Sequence, residues 1–469
     1  MPPPLLVIDI GSTKLKAALV DTHPDKRSSF LDMVTSDSPL QGEAVQAEAV
    51  IAAVLETGQR VCRGQRPAAL ALTGATRTHV FTAADGQALA PVMKLNDARG
   101  AEFEAALQKA YGLPGGRNLG AFHPLARLMD LQRNRPQIYQ RTRWLLEIKD
   151  WLHLALTGVA ATDDVSYARL APTLGTLDDV LRKLGLRQDL CAGPVPAGQV
   201  LAAIEASKDA AWSAWHGVPV VACGFDAWCA SYGMGSVQEG AAYNVTGTTE
   251  VFGSFRSQHV ALGGVACLLW GEGLQHLGGP CLTGLGTLAW FGRTFLGDAD
   301  PQAVLTCASH AQEDTPLCIP FVAGERMPFW DAGLSARFLE VRSHHGLPEM
   351  AQALLDGLLV FQRQLLGLLA GPTAPVYLGG ASALPGWAEL KAGAFGRTLL
   401  RSSHPEPGLL GAAMCGLKAL GHYDSMQLAQ ATLAPPPDLI APNPLVTTRM
   451  QRLEPRLLPH FPPFPAVQP

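Results

Sequence analysis

Apolar residues along this chain recur with two alternating periods. Leu5–Ile10 and Leu15–Val20 are apolar runs of strand length separated by Gly11-Ser12-Thr13-Lys14, a spacing that predicts a β-hairpin. About half the chain later the pattern returns, with Ala241–Val245 and Glu250–Phe255 reading as strands joined by Thr246-Gly247-Thr248-Thr249. The two turns spell D-I-G-S-T and V-T-G-T-T. A turn repeated at half the chain length predicts two similar halves, each offering a hairpin to a central cleft.

Between the hairpins, Glu43–Cys62 has helical spacing at Ala47, Val50, Ile51, Val54 and Leu55, and Ala68–Leu72 and Val80–Thr82 read as strands. Ala101–Tyr111, Pro124–Asn134 and Trp144–Leu156 read as helices, Thr162–Ala168 as a polar loop and Cys191–Val200 as loop-like. Val218–Cys223 reads as a strand broken by Gly224-Phe225-Asp226 before a short helical run. Further on, Gly263–Leu269, Gly273–Gly279 and Pro375–Leu378 look like strands. Gly284–Phe295, Leu347–Leu369, Pro385–Phe395 and Leu409–Gly421 look like helices. Proline is dense from Pro435 onward, which predicts a tail lying on the surface or partly disordered. Strands and helices mixed throughout predict an α/β chain of two domains, drawn at 1–222 and 223–434, with 435–469 as the tail.

Composition narrows the partners. Of 469 residues, 48% are hydrophobic and 16% charged, and the net charge is −4. No basic face is implied, so neither nucleic acid nor an anionic membrane surface is expected as a partner. Nine cysteines, with no C-x-x-C pair, fit free thiols in a reducing cytoplasm better than a disulfide framework or a zinc site. No signal peptide or membrane span is expected, because no basic region precedes the first apolar run and no stretch of about 18 apolar residues occurs.

Two stretches carry candidate chemistry. Asp226 stands where a strand ends and a helix begins, a place where loops hold reactive groups, although it could serve only to N-cap the helix. Gly247-Thr248-Thr249 can aim N–H groups and hydroxyls at one point, as an anion site needs, although either turn alone is an ordinary hairpin turn. Asp9, at the end of the first strand, is either functional or a solvated charge. Glu325-Arg326 reads as an ion-paired loop, and the adjacent His344 and His345 are poor joint ligands for a metal. Gly284-Leu285-Gly286 lacks the strand-then-acid context of a dinucleotide site.

In this order the motifs resemble those of the FGGY carbohydrate kinases, within the actin/hexokinase/Hsp70-like ATPase superfamily, over about residues 5–425. Asp9 to Lys16, D-I-G-S-T-K-L-K, looks like that family's first phosphate motif. Residues 72–99, ending D-G-Q-A-L-A-P-V-M-K-L-N-D-A-R, are similar without gaps to the sugar-site stretch of its xylulokinases. Ile148-Lys149-Asp150-Trp151-Leu152 resembles a further signature. Cys223-Gly224-Phe225-Asp226-Ala227 and Thr246-Gly247-Thr248-Thr249 look like the catalytic and second phosphate motifs. Gly324-Glu325-Arg326-Met327-Pro328 and Leu378-Gly379-Gly380-Ala381-Ser382 complete the set.

The resemblance implies two ribonuclease-H-like (actin-like ATPase) domains flanking a central cleft, and ATP-dependent phosphorylation of a small sugar hydroxyl with Mg²⁺. It implies Asp226 as general base, and Asp9 facing the phosphates and holding Mg²⁺. Gly11, Ser12 and Thr13 would cradle one side of the triphosphate and Gly247 and Thr248 the other, with Lys16 nearby. Gly379, Gly380 and Ser382 would shape the adenosine end, with Gly411 and Ala412 either against the base or simply packing helices. Thr76, Arg77, Asp97 and Asp226 would meet the sugar. The chain departs from its relatives at Thr76-Arg77, where xylulokinases carry Met-His and glycerol kinases Arg-Glu. Arginine donates and does not accept, so Arg77 suits a carboxylate or several hydroxyls, or else pairs with Asp97. The expected acceptor is a ketose such as D-xylulose, with a polyol (glycerol, erythritol) or a sugar acid as the alternative. A non-catalytic sugar sensor of the same fold is the rival from another class. The family's members are often dimers or tetramers, so a cytoplasmic homodimer is among the expectations.

Overall fold

The computed structural model describes residues 2–22, 30–95, 97–112, 123–170, 175–205, 210–380 and 384–465. Two sheets organise it. The first holds β1 (Leu5–Ile10), β2 (Lys14–Val20), β3 (Phe30–Asp37), β4 (Leu70–Gly74), β5 (Gln199–Ala203) and β6 (Pro219–Ala222), in the order β3-β2-β1-β4-β6-β5. The second holds β7 (Ala242–Thr246), β8 (Glu250–Arg256), β9 (Ala266–Gly271), β10 (Leu274–Cys281), β11 (Val376–Gly380), β12 (Leu399–Arg401) and β13 (Asp438–Ile440). Its order is β9-β10-β8-β7-β11-β12-β13. In each sheet three antiparallel strands are followed by two parallel ones, β3-β2-β1-β4-β6 in the first and β10-β8-β7-β11-β12 in the second. The repeated turn opens the same five-strand unit twice, as expected of paired ribonuclease-H-like domains.

β1 is apolar on both faces because both faces are covered. Leu6, Ile8 and Ile10 pack with Val50 and Val54 of the helix Ala47–Cys62. Leu5 and Val7 pack with Trp228 and Cys229 of the helix Asp226–Gly233, and with Leu410 and Met414 of the helix Pro407–Ala419. The last of these helices follows the second sheet in sequence yet lies on the first sheet, so it ties the two halves together. The core of the second domain gathers on Leu354, Leu358, Phe361 and Leu365 of the helix Leu347–Leu369.

The helices Asp226–Gly233 and Pro407–Ala419 cross at glycine. A methyl group on Gly411 would stand 1.8 Å from the Cys229 carbonyl oxygen, and one on Gly233 would stand 1.9 Å from that of Pro407. Helix packing therefore accounts for Gly411, as the simpler of its two readings held. Gly411→Ala forces the backbones apart and is expected to cost about 1–3 kcal/mol, read as a lower urea midpoint. An unchanged midpoint would show that the crossing yields freely.

Several expectations need correction. Trp144–Glu147 is a strand paired with His79–Thr82, and the helix begins only at Ile148. The polar stretch at 162–168 holds a helix, Asp164–Ala168, because the Asp163 carboxylate accepts the Ser166 N–H at 2.8 Å and caps it. The segment from Pro435 is no surface tail. β13 pairs with β12, and Met450 and Leu453 of the helix Pro444–Leu457 are buried in the second core. Pro444 marks a helix start, at the first position after Asn443, the N-cap that accepts the Leu445 N–H.

Candidate active site

The two candidate carboxylates meet where the crossing helices begin. Asp9 is the fifth residue of β1, opposite Lys16 on β2 and Thr73 on β4. Its Oδ2 would lie 3.3 Å from a methyl group on Gly408, in the first turn of Pro407–Ala419, so the carboxylate faces that helix's N-terminus. Its Oδ1 is buried with no hydrogen-bond partner. Burial, followed by the Asp226 carboxylate, pushes its pKa up to about 7, against the pull of Lys16. Lys16 is ion-paired with Glu406, the N-cap of the same helix, so the ammonium ties β2 to that helix.

Asp226 is the first residue of its helix, after Phe225 at the N-cap, so the structure does not support the reading of Asp226 as the cap itself. Oδ1 accepts the N–H of Ala227 at 2.8 Å and of Thr76 at 3.3 Å. Oδ2 makes no hydrogen bond among the described residues. Burial pushes its pKa up to about 6; the Ala227 N–H opposes the shift and Glu147 adds to it. A carboxylate held by backbone donors, with one oxygen left over and a pKa near neutrality, can take a proton.

The cleft beside Asp226 has a volume of about 520 Å³ and draws on both domains, with Thr76, Arg77 and Arg169 from the first and Thr249, Trp270 and His276 from the second. Arg77 has a left-handed φ of 55°. Its N–H donates to Glu147 Oε1 at 2.9 Å, and its carbonyl accepts from Arg127 at 2.6 Å. Arg127 is fully buried and also donates to the carbonyls of Met93 and Lys94, so it holds this loop in place. Glu147 and the helix Asp164–Ala168 are in turn anchored by a buried cluster, in which Lys149 pairs with Asp150 and Asp163 at 2.6 Å each.

Asp97 departs from its expected role. Its carboxylate is gripped by Arg99, with contacts of 2.6–3.0 Å, rather than by Arg77, and it is not among the residues lining the cleft. Glu325 and Arg326 are not an ion pair either. Buried Glu325 accepts the N–H groups of Leu282, Thr283 and Arg326 at 2.6, 3.0 and 2.6 Å, which fixes the loop after β10. His344 and His345 do both turn toward Asp314. However, His345 Nδ1 accepts the Arg342 N–H, which leaves its proton on Nε2, and Arg342 itself lies 3.7 Å from that carboxylate. The cluster is therefore an ion-paired surface loop.

The second hairpin turn is braced from two sides. The Leu285 and Gly286 N–H groups donate to the carbonyls of Gly247 and Thr248, so the glycine run set aside as a dinucleotide site buttresses this turn instead. Beneath it, buried Lys391 donates to Asn244, Thr246 and Glu250. Gly379 and Gly380 lie opposite Val245 and Thr246 on the neighbouring strand. Gly380, at φ +67°, approaches the Thr246 carbonyl too closely for any side chain. Ser382 lies outside the described residues. Gly11, Ser12 and Thr13 form the first turn, where Ser12 and Thr13 are exposed and the Gly11 carbonyl accepts from Ser38. Arg169, Glu147, Glu406 and Lys391 were missed in the sequence.

Two duplicated hairpin units, a carboxylate beside each crossing helix and a cleft shared by both domains define a two-domain phosphotransferase of the actin-like ATPase fold. The chain matches the N-terminal domain of the FGGY family of carbohydrate kinases over residues 5–233 and its C-terminal domain over 242–420, and it belongs to that family. It is 21% identical to a xylulose kinase of Lactococcus lactis, over 96% of this chain and 94% of that one. It is 22% identical to a gluconokinase of Bacillus subtilis, over 90% and 88%. Among solved structures, the ligand-bound xylulose kinase from Lactobacillus acidophilus superposes with a TM-score of 0.86 at 18% identity, over 97% of each chain. The protein is thus a carbohydrate kinase, an enzyme class that uses ATP as a substrate. No helix among the described residues is long and apolar enough to cross a membrane.

Proposed function

We propose that this enzyme transfers the γ-phosphoryl group of ATP to a hydroxyl of a small polyhydroxylated acceptor, with Asp226 as the general base. The observation that carries the reading is the Asp226 carboxylate, whose Oδ1 is fixed by two backbone N–H groups and whose Oδ2 is unengaged beside the cleft. The acceptor hydroxyl gives its proton to that carboxylate as its oxygen bonds to phosphorus, and the bond from phosphorus to the β-bridging oxygen breaks to release ADP. The turns at Gly11–Thr13 and Gly247–Thr248 offer N–H groups to the phosphates, and Gly379 and Gly380 leave room for the nucleoside end. Mg²⁺ fits the buried, unpartnered Oδ1 of Asp9, which would hold it beside the phosphates. There it would offset phosphate charge. Closure of the domains on the cleft excludes water. Free cysteines at all the described positions agree with a reducing, cytoplasmic setting. The relatives' names span a neutral ketose and a sugar acid, so names do not choose the acceptor.

The test is acceptor-dependent ADP release from ATP and Mg²⁺ across ketoses, polyols, aldoses and sugar acids. Stimulation by at least one acceptor is expected. ATP turnover indifferent to every acceptor, or ATP binding without any turnover, would overturn the reading. In the same assay kcat/KM is expected to fall as pH drops through about 6, because only ionised Asp226 accepts a proton. An acid limb near the ordinary carboxylate range of about 4 would count against Asp226.

A further inference from the structure

The first domain presents two guanidinium groups to the cleft, and among the described residues neither has an ion-pair partner. Arg77 and Arg169 line both the 520 Å³ cleft and a smaller recess of about 40 Å³ behind it. Arg169 donates to Thr76 Oγ1 at 2.6 Å and its Cζ sits over the Phe225 ring, 4.3 Å from the centroid, so the residue before Arg77 and the residue before Asp226 both orient it. Arg77 is aimed by its left-handed backbone, pinned on one side by Glu147 and on the other by Arg127. Among the described residues no carboxylate comes within ion-pair distance of either guanidinium.

The surrounding acids answer this charge only in part: Asp226 feels Arg169 without an ion pair to it, and Glu104 lines the same cleft. Glu147 offsets part of the charge on Arg77, but its Oε1 is taken by the Arg77 N–H and its Oε2 faces Ser166. Glu325 is spent on three backbone N–H groups. Facing the two guanidinium groups from the second domain are Tyr243, Trp270 and His276, whose imidazole is held uncharged by burial and by Arg169, with Arg326 also on that wall. Burial, then Arg169 and Arg127, pull the pKa of Arg77 down to about 9, with Glu147 opposing only part of the shift. Two half-buried cations that repel one another favour a ligand anion that completes the site. A planar carboxylate suits two forks, each of which donates two parallel hydrogen bonds.

We infer that the acceptor is a sugar acid, whose carboxylate is held between Arg77 and Arg169 while one of its hydroxyls meets Asp226. This rests on the kinase reading above and assigns Arg169 a specificity role that no motif in the sequence suggested. In that arrangement Thr76 positions Arg169 and Arg77 supplies the second fork.

The test compares acceptors matched in carbon number: aldonates and uronates against the corresponding ketoses, aldoses and polyols, with sugar phosphates as a third arm. One sugar acid is expected to exceed every neutral acceptor in kcat/KM by about 100-fold or more, since a site built to pair a charged group rejects analogues that lack it. In Arg169→Gln and Arg77→Gln that preference should collapse, mainly through KM for the acid, while KM for ATP holds. A neutral sugar preferred by the wild-type enzyme would overturn the inference and leave the kinase reading intact, and so would a preferred sugar phosphate. Failure of every acceptor would sink the kinase reading instead. Thermal shift of the wild-type protein with each acid and its neutral partner would then decide the clamp alone, a rise with the acid only supporting it and equal shifts overturning it. The wild-type ratio needs no variant to fold.

Discussion

Asp226→Asn is expected to lower turnover by about 10²–10⁴-fold, the usual worth of a positioned general base, while ATP still binds. Asparagine keeps the shape and an oxygen to accept the Ala227 and Thr76 N–H groups, so the helix start is undisturbed. It loses the capacity to take a proton. Stability gives a second readout with a definite sign. Burial raises the folded-state pKa of Asp226 to about 6, so protonation favours the folded form. That contribution is complete below the unfolded pKa of about 3.9 and is lost as pH rises through about 6. Above pH 7 the wild type carries a buried, ionised carboxylate that the variant lacks. The melting temperature of Asp226→Asn at pH 8 is therefore expected to equal or exceed that of the wild type. A variant that keeps more than a tenth of wild-type turnover with an intact fold would show that another group takes the proton. A variant that loses activity and stability together at pH 8 would show that the residue is structural.

The parts of this site legible in the sequence were those held by local chain geometry. D-I-G-S-T and V-T-G-T-T announce hairpins because an apolar run, a turn and a second apolar run are consecutive in the chain, and each did open a five-strand unit. Asp226 was legible because a strand that stops at Gly224 and a helix that starts two residues later fix its place. Arg169 was not legible, since its partners Thr76 and Phe225 are 93 and 56 positions away and the helix before it was hidden in polar residues capped by Asp163. Asp97 was less legible for the converse reason. Its neighbour Arg99 reaches its carboxylate through a two-residue turn, a local contact that competes with any role toward a ligand. The segment after Pro435 misled because proline was counted as a sign of disorder, whereas Asn443-Pro444 is a helix-start signal and Met450, Leu453 and Leu457 follow at helical spacing.

Lys391 should contribute strongly to stability beneath the second hairpin turn. Its ammonium is fully buried and spends its three donors on Asn244, Thr246 and Glu250, residues that flank the Gly247–Thr248 turn. Glu250 depends on it in return. Its Oε2 accepts from Lys391 at 2.8 Å and from Asn244 at 2.6 Å, while its Oε1 is buried with no partner. Lys391→Met keeps the volume and removes the charge, stranding the carboxylate in the core, and is expected to cost about 3–5 kcal/mol in urea denaturation. The cost comes from the abandoned acid rather than from the missing bond, so Lys391→Met combined with Glu250→Gln should recover most of it. The function follows the turn. Losing the brace should raise KM for ATP more than it changes KM for the acceptor, because Thr246 and Glu250 bracket the turn proposed to meet the phosphates whereas Arg77 and Arg169 stand on the other domain. A single variant as stable as the wild type, or a double variant no better than the single, would mean that the ion pair contributes nothing to the fold.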